Sequence, residues 1–310
     1  EETHSNHQRT PKLRMNTRPQ IGERRKFRKF FQTHGHARNA NGNEKPVPRF
    51  HTAVTTTAWW AQHEVWMPNT SPPILSAIDS QNYRRELHKK APLMRHRVAM
   101  KLVKGTHILE LAAFQSLGGR SVKIYPEGVT NSNEKGSAWN SFQEMYPAIE
   151  KAASRGLIIC LHGEQPGEKI DTYAREHVFM EEAFLDLVEK FPGVRFNIEH
   201  ISTAGPPARV SRMPECITGG ITPQHLWMTR NDVLEWPVAG GNPGINAFHH
   251  CRPPVQTFVD QQALLTAVLR ADEPGYNRLH RGPDSAPHLD PTKLCAGGCP
   301  GVFSSPVMGP

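Results

Sequence analysis

The sequence lacks any long apolar run. The longest near its middle, Leu157-Ile158-Ile159-Cys160-Leu161, is far short of the roughly 20 residues a membrane-spanning helix needs, so a helical membrane protein is excluded. It has no internal repeat and no sustained heptad, which excludes a solenoid and a coiled coil. Cysteine is scarce: five residues, an odd number, lying between Cys160 and Cys299. That argues against a disulfide framework and for a reducing compartment. Net charge is missing from most of the chain. Residues 51–310 hold 25 Lys/Arg and 25 Asp/Glu, whereas residues 1–50 hold 12 and 4. The formal charge of +8 therefore belongs to a basic leader ahead of a neutral body. A nucleic-acid binder with charge spread over a folded face is disfavoured, which leaves the leader as the one segment suited to nucleic acid.

What the sequence does have is turn-formers and histidine. The 24 Gly and 27 Pro make about one residue in six, implying many turns rather than long bundle helices, and there are 17 His. Residues 1–30 read as a basic, solvated arm, with Arg24-Arg25-Lys26 and Arg28-Lys29 clustered. The competing reading is an organelle transit peptide. The chain opens on Glu1 rather than methionine, which reads as an excerpt or a processed chain.

Residues 31–310 are read as the barrel unit, and from about residue 53 short β-branched or apolar runs alternate with longer amphipathic stretches. Strands are expected at 29–34, 58–67, 97–103, 120–125, 156–162, 194–201, 216–222 and 278–284. Helices are expected at 74–90, 107–118, 138–154, 171–190 and 258–271. Asp171 is read as the cap of the fourth helix, with Leu185 and Val188 on its apolar face. This alternation predicts a parallel sheet, and eight strands close a (β/α)8 barrel of TIM type. The residues after the last strand show no convincing helix, so the outer ring looks incomplete there.

In such a barrel the C-terminal strand ends converge on one face. Here they are polar: Lys123, His162-Gly163-Glu164, Glu199-His200, and Asp284 followed by His288. Near the first strand stand His34 and His36, spaced i, i+2 and therefore on one side of a strand, with Arg38 beyond. Singly, each has an ordinary explanation as a satisfied polar residue or a salt-bridge partner. Together, His34, His36, Lys123, His162, His200 and Asp284 supply ligands for two divalent metals if the lysine carries a bridging carbamate.

These residues sit in longer strings: Met67-Pro68-Asn69, Lys123-Ile124-Tyr125-Pro126, Thr130-Asn131-Ser132, Leu161-His162-Gly163-Glu164, Glu199-His200-Ile201-Ser202-Thr203, Ile221-Thr222-Pro223-Gln224-His225, Gly282-Pro283-Asp284-Ser285-Ala286-Pro287-His288 and Gly298-Cys299-Pro300-Gly301. From about residue 65 to residue 305 the chain resembles dihydroorotase of the short, monofunctional type, within the amidohydrolase superfamily. The resemblance implies reversible cyclisation of N-carbamoyl-L-aspartate to L-dihydroorotate in de novo pyrimidine (UMP) biosynthesis. It implies two Zn²⁺ bridged by N6-carboxylated Lys123, held by His34, His36, His162, His200 and Asp284, with Asp284 also the catalytic proton carrier. Substrate contacts implied are Arg38, Asn69, His162 and His288, with backbone groups near Arg252 and Pro300. Thr130 and Asn131 would lie on a mobile loop. A cytoplasmic enzyme, often homodimeric, is the corresponding expectation.

The chain departs from the family pattern at Gln32 and Asn39, where acidic residues usually flank the first metal motif, and at Pro283 before Asp284. Two other readings follow. One is an impaired relative serving as a structural or interaction subunit through its basic arm. The other is a different amidohydrolase, hydantoinase-like in substrate.

Overall fold

The computed structural model describes residues 31–32, 64–70, 73–90, 92, 95–126, 141–237, 243–288, 290–296 and 298–304. Strands β1 (Phe31–Gln32), β2 (Glu64–Met67) and β3 (Arg95–Val98) make one parallel sheet. A second contains β4 (Met100–Lys101), β5 (Ser121–Ile124), β6 (Ile158–His162), β7 (Phe196–Glu199), β8 (Ile217–Ile221) and β9 (Leu279–Arg281). Its neighbours follow chain order and every pair is parallel. β3 and β4 are one run interrupted at Ala99, whose N–H donates to Met67 O at 3.0 Å while Lys101 N–H reaches Ile74 O at 2.8 Å. Counted so, eight parallel strand positions succeed one another in the order a (β/α)8 barrel winds.

Helices lie between the strands: α1 (Ala77–Lys90), α2 (Ile108–Ser116), α3 (Tyr146–Ser154), α4 (Arg175–Val178), α5 (Leu185–Lys190), α6 (Gly205–Val210), α7 (Pro223–Trp227) and α8 (Phe258–Leu269). Short polar side chains start several of them. Thr257 and Asp260 form a capping box on α8, and Thr222 Oγ1 accepts from His225 N–H on α7. Beyond β9 there is one further turn, α9 (Asp290–Lys293), where no helix was expected. Among the described residues no helix is long and apolar enough to cross a membrane.

The expected helix 171–190 is shorter and interrupted. Asp171 accepts the Tyr173 N–H at 2.7 Å and so caps a turn, not the helix, which begins at Arg175. A π-helical stretch, Phe179–Phe184, joins α4 to α5. Its extra residue per turn rotates the buried face. Phe179, Met180, Ala183, Phe184 and Leu187 are buried, while Leu185 is 39% exposed.

The strand pleat separates two chemistries. Val122, Ile124, Ile159, Leu161, Phe196, Ile198 and Ile217 join the buried apolar core, each contributing roughly 1.5–3 kcal/mol by leaving water. The alternate residues are polar. Lys123, Cys160, Asn197 and Thr218 stand level across β5, β6, β7 and β8 by register. They are tied by Thr218 Oγ1 donating to Asn197 Oδ1 at 2.9 Å, and His280 Nε2 lies 2.8 Å from the same oxygen.

Candidate active site

The C-terminal strand ends gather the expected chemistry. Lys123 is fully buried on β5 and pairs with Glu199, the last residue of β7. His162 ends β6, and His200 directly follows β7. Asp284 lies three residues past β9, buried, with its charge felt at Lys123 and at His162. His200 and Asp284 are the two described non-glycine residues with positive φ, 44° and 42°. Left-handed backbone at such residues carries strain of order 1–3 kcal/mol and clusters at functional sites.

The two histidines meet directly. His162 Nδ1 lies 3.1 Å from His200 Nε2, with ring centroids 4.5 Å apart. The other nitrogen of His162, Nε2, lies 2.6 Å from Glu164 Oε2. A carboxylate only accepts, so Nε2 carries the hydrogen and Nδ1 keeps its lone pair. Burial holds the His162 imidazole below its ordinary pKa against the opposing pull of Glu164. The neutral ring is the form that binds a metal. Burial also pushes the Lys123 ammonium down to about 7, opposed by Cys160 and Asp284.

The residues expected to contact substrate fall on loops. Asn69 follows β2, half-buried. His288 sits beside Cys299, whose Sγ is 3.5 Å from His288 Nδ1. A strand-like bridge pairs Ser285 with Val302, and Gly301 (φ 147°) passes so close that a Cβ there would stand 2.8 Å from His288 Nε2. Arg252 and Pro300 are brought near each other by one buried lysine. Lys293 Nζ donates to His250 O, Cys299 O and Gly301 O at 3.2, 2.8 and 2.8 Å. His34, His36, Arg38, Thr130 and Asn131 lie outside the described residues. Among the described residues no three His, Cys, Asp or Glu side chains form a group that would hold a metal ion.

Three supporting residues were not singled out from sequence. Glu164 fixes the His162 ring, and Lys293 staples the loops carrying Arg252 and Pro300. Glu176 on α4, fully buried, accepts from Ser202 N (3.0 Å), Ser202 Oγ (2.6 Å) and Thr203 N (2.7 Å), anchoring the turn that follows His200. The only sequence hint was Glu164 lying two residues after His162.

No family model matches the chain. The dihydroorotase of Teredinibacter turnerae is 30% identical over 275 residues, covering 88% of this chain and 74% of that protein. The dihydroorotase of a Chelativorans species is 33% identical over 248 residues, covering 77% and 67%. Among solved structures, dihydroorotase from Saccharomyces cerevisiae in complex with 5-fluoroorotic acid superposes with a TM-score of 0.76 at 25% identity, covering 90% of this chain and 75% of that one. Relatives at 30% and 33% identity over 88% and 77% of this chain show that it belongs to the dihydroorotase family, cyclic amidohydrolases built on an α/β fold.

Proposed function

We propose that this protein catalyses the reversible cyclisation of N-carbamoyl-L-aspartate to L-dihydroorotate in pyrimidine biosynthesis, with zinc held at the strand-end cluster. The observation that carries the reading is the gathering of Lys123, His162, His200 and Asp284 at strand ends in a chain of this family.

The donor chemistry suits zinc. Two nitrogens bound to one tetrahedral zinc at about 2.0–2.1 Å stand roughly 3.3 Å apart, close to the 3.1 Å between His162 Nδ1 and His200 Nε2. The full ligand set in this reading is His34, His36, carboxylated Lys123, His162, His200 and Asp284, for two ions. When bound, the metal pair supplies Lewis acidity and a hydroxide near neutral pH. A lysine needs its neutral amine to take up carbon dioxide, and burial brings Lys123 to about 7, where that form is abundant. Carboxylation replaces a cation by an anion with two oxygens, resolving the repulsion an ammonium would exert on the ions.

In the ring-opening direction Asp284 takes the proton of the attacking water and delivers it to the leaving ring nitrogen, so that it ends ready for the reverse cycle. Glu164 keeps His162 in the tautomer that presents Nδ1. Arg38 and His288 clamp the substrate carboxylate, with Asn69 and the backbone near Arg252 and Pro300 completing its contacts. Thr130 and Asn131 close over the bound substrate. Residues 1–30 form a basic arm outside this unit, and two copies of residues 31–310 associate as a homodimer.

The test is turnover by the zinc-loaded chain, followed by chromatography with L-dihydroorotate and, separately, hydantoin as substrates. Opening of dihydroorotate and little reaction with hydantoin is expected. The reverse preference, or no turnover of either with zinc bound, overturns the reading.

A further inference from the structure

Between α7 and the segment that follows β9 lies a cavity of about 250 Å³. Gln224 and Trp227 line it from α7, and His288 and Val302 line it from the segment past β9. Phe248 joins them from the turn Ala247–His249. Lys123, His162, His200 and Asp284 are not among its lining residues, so the cavity stands apart from the catalytic cluster.

Gln224 is 2% exposed, and neither its Nε2 nor its Oε1 makes a hydrogen bond among the described residues. Its backbone is already committed: α7 starts at the Thr222 cap, and Gln224 O accepts the Met228 N–H at 2.9 Å. The adjacent polar side chains serve other partners. Thr222 Oγ1 lies 2.6 Å from His225 Nδ1, and His225 Nε2 lies 3.1 Å from Pro253 O. Lys293 also lines the cavity, but its ammonium is held by His250 O, Cys299 O and Gly301 O. A buried amide without partners costs free energy that a complementary ligand edge removes. Three side-chain torsions precede the Gln224 amide, so rotation can present both of its groups to the cavity the residue lines.

We propose that this cavity binds a planar heterocycle of nucleobase type, read by the Gln224 amide and stacked on Trp227. A glutamine amide sets a donor beside an acceptor. Its complement is a ring edge with the reverse pair, such as the N–H and C=O of a pyrimidinedione or the N7 and amino group of adenine. Trp227 and Phe248 remain 72% and 44% exposed, so aromatic faces are available to a ring that enters. The volume sits just below the usual range of small-ligand pockets, roughly 300–1,000 Å³, which suits a free base rather than a nucleotide.

The experiment is calorimetric titration of the full-length, zinc-loaded protein with uracil, adenine and 1,3-dimethyluracil. Wild type, Gln224→Leu and Trp227→Ala are compared. Saturable binding of uracil or adenine is expected in the wild type, weakened roughly tenfold or more by Gln224→Leu and roughly fivefold or more by Trp227→Ala. Dihydroorotate turnover is retained in both variants. Dimethyluracil, which keeps the ring and its carbonyls but has no N–H, binds more weakly than uracil. Uracil tighter than adenine assigns a pyrimidinedione edge, and the reverse order assigns a purine edge. If Gln224→Leu fails to fold, the exposed Trp227→Ala variant decides. Base binding unchanged in Gln224→Leu, or unchanged in Trp227→Ala, or no saturable binding of either base by the wild type, overturns the proposal.

Discussion

Glu164 holds His162 from behind: its Oε2 lies 2.6 Å from Nε2, while the ring's other nitrogen, Nδ1, faces His200 at 3.1 Å. One carboxylate thereby settles both the tautomer and the direction of the neighbouring imidazole.

Removing it has a defined consequence. Glu164→Ala is expected to weaken zinc affinity about 10- to 100-fold, the usual loss for such a supporting carboxylate. Glu164→Gln should lose less, because its amide oxygen still accepts from Nε2. Competition titrations with a zinc chelator measure both. Equal affinity for wild type and Glu164→Ala would show that the ring is oriented by something else.

Glu176 gives a pH signature. Burial raises its pKa from 4.5 to about 7, against the opposing hydrogen bonds from Ser202 and Thr203. A folded pKa above the unfolded one means its contribution is fully present below about 4.5 and is lost as pH rises through about 7. The stability difference between wild type and Glu176→Gln should therefore shift against the wild type as pH rises from 4.5 to 7. Urea unfolding of both proteins across that window measures it, and a difference that is flat or of opposite slope contradicts the assignment.

The site was legible where strand pattern and chemistry coincide. Lys123 and His162 lie in the β-branched runs Ser121–Ile124 and Ile158–His162, so their places toward strand ends could be read without a structure. Glu176 was hidden because Ser202 is 26 residues away and nothing local marks the pair. Lys293 was hidden because its partners are backbone carbonyls, which leave no trace in side-chain identity. Leu185 was misread because the π-helical stretch Phe179–Phe184 shifts the helical phase, which a fixed 3.6-residue period does not follow. The single turns Pro223–Trp227 and Asp290–Lys293 are too short to show any period.

Lys293 should act on substrate binding rather than on the chemical step. Lys293→Met leaves the Cys299 and Gly301 carbonyls without their donor, while His250 O keeps the Gly301 N–H, at a cost of roughly 2 kcal/mol or more. It also loosens the loops bearing Arg252 and Pro300. The expected result is a raised KM for dihydroorotate with a smaller change in kcat, together with a lower melting temperature. A large fall in kcat at unchanged KM would place Lys293 in a different role.

Asp284 separates backbone strain from chemistry. Its φ of 42° is tolerated by Asn but not by a β-branched residue. Asp284→Asn should keep wild-type stability and lose turnover, whereas Asp284→Val should lose turnover and also about 1–3 kcal/mol of stability. Chemical denaturation of the two variants gives the comparison, and equal stability would remove the strain argument.

The central claim is that Lys123, as a carbamate, joins the histidines and Asp284 in a two-zinc centre. Metal analysis by mass spectrometry, on wild type and Lys123→Ala prepared side by side with zinc and bicarbonate, tests it most directly. The account predicts about two zinc ions per wild-type chain, no dinuclear loading and no turnover in Lys123→Ala, and partial loading in Lys123→Glu, which keeps a carboxylate on a shorter stem. A Lys123→Ala protein that holds two zinc ions and opens dihydroorotate at the wild-type rate would contradict it.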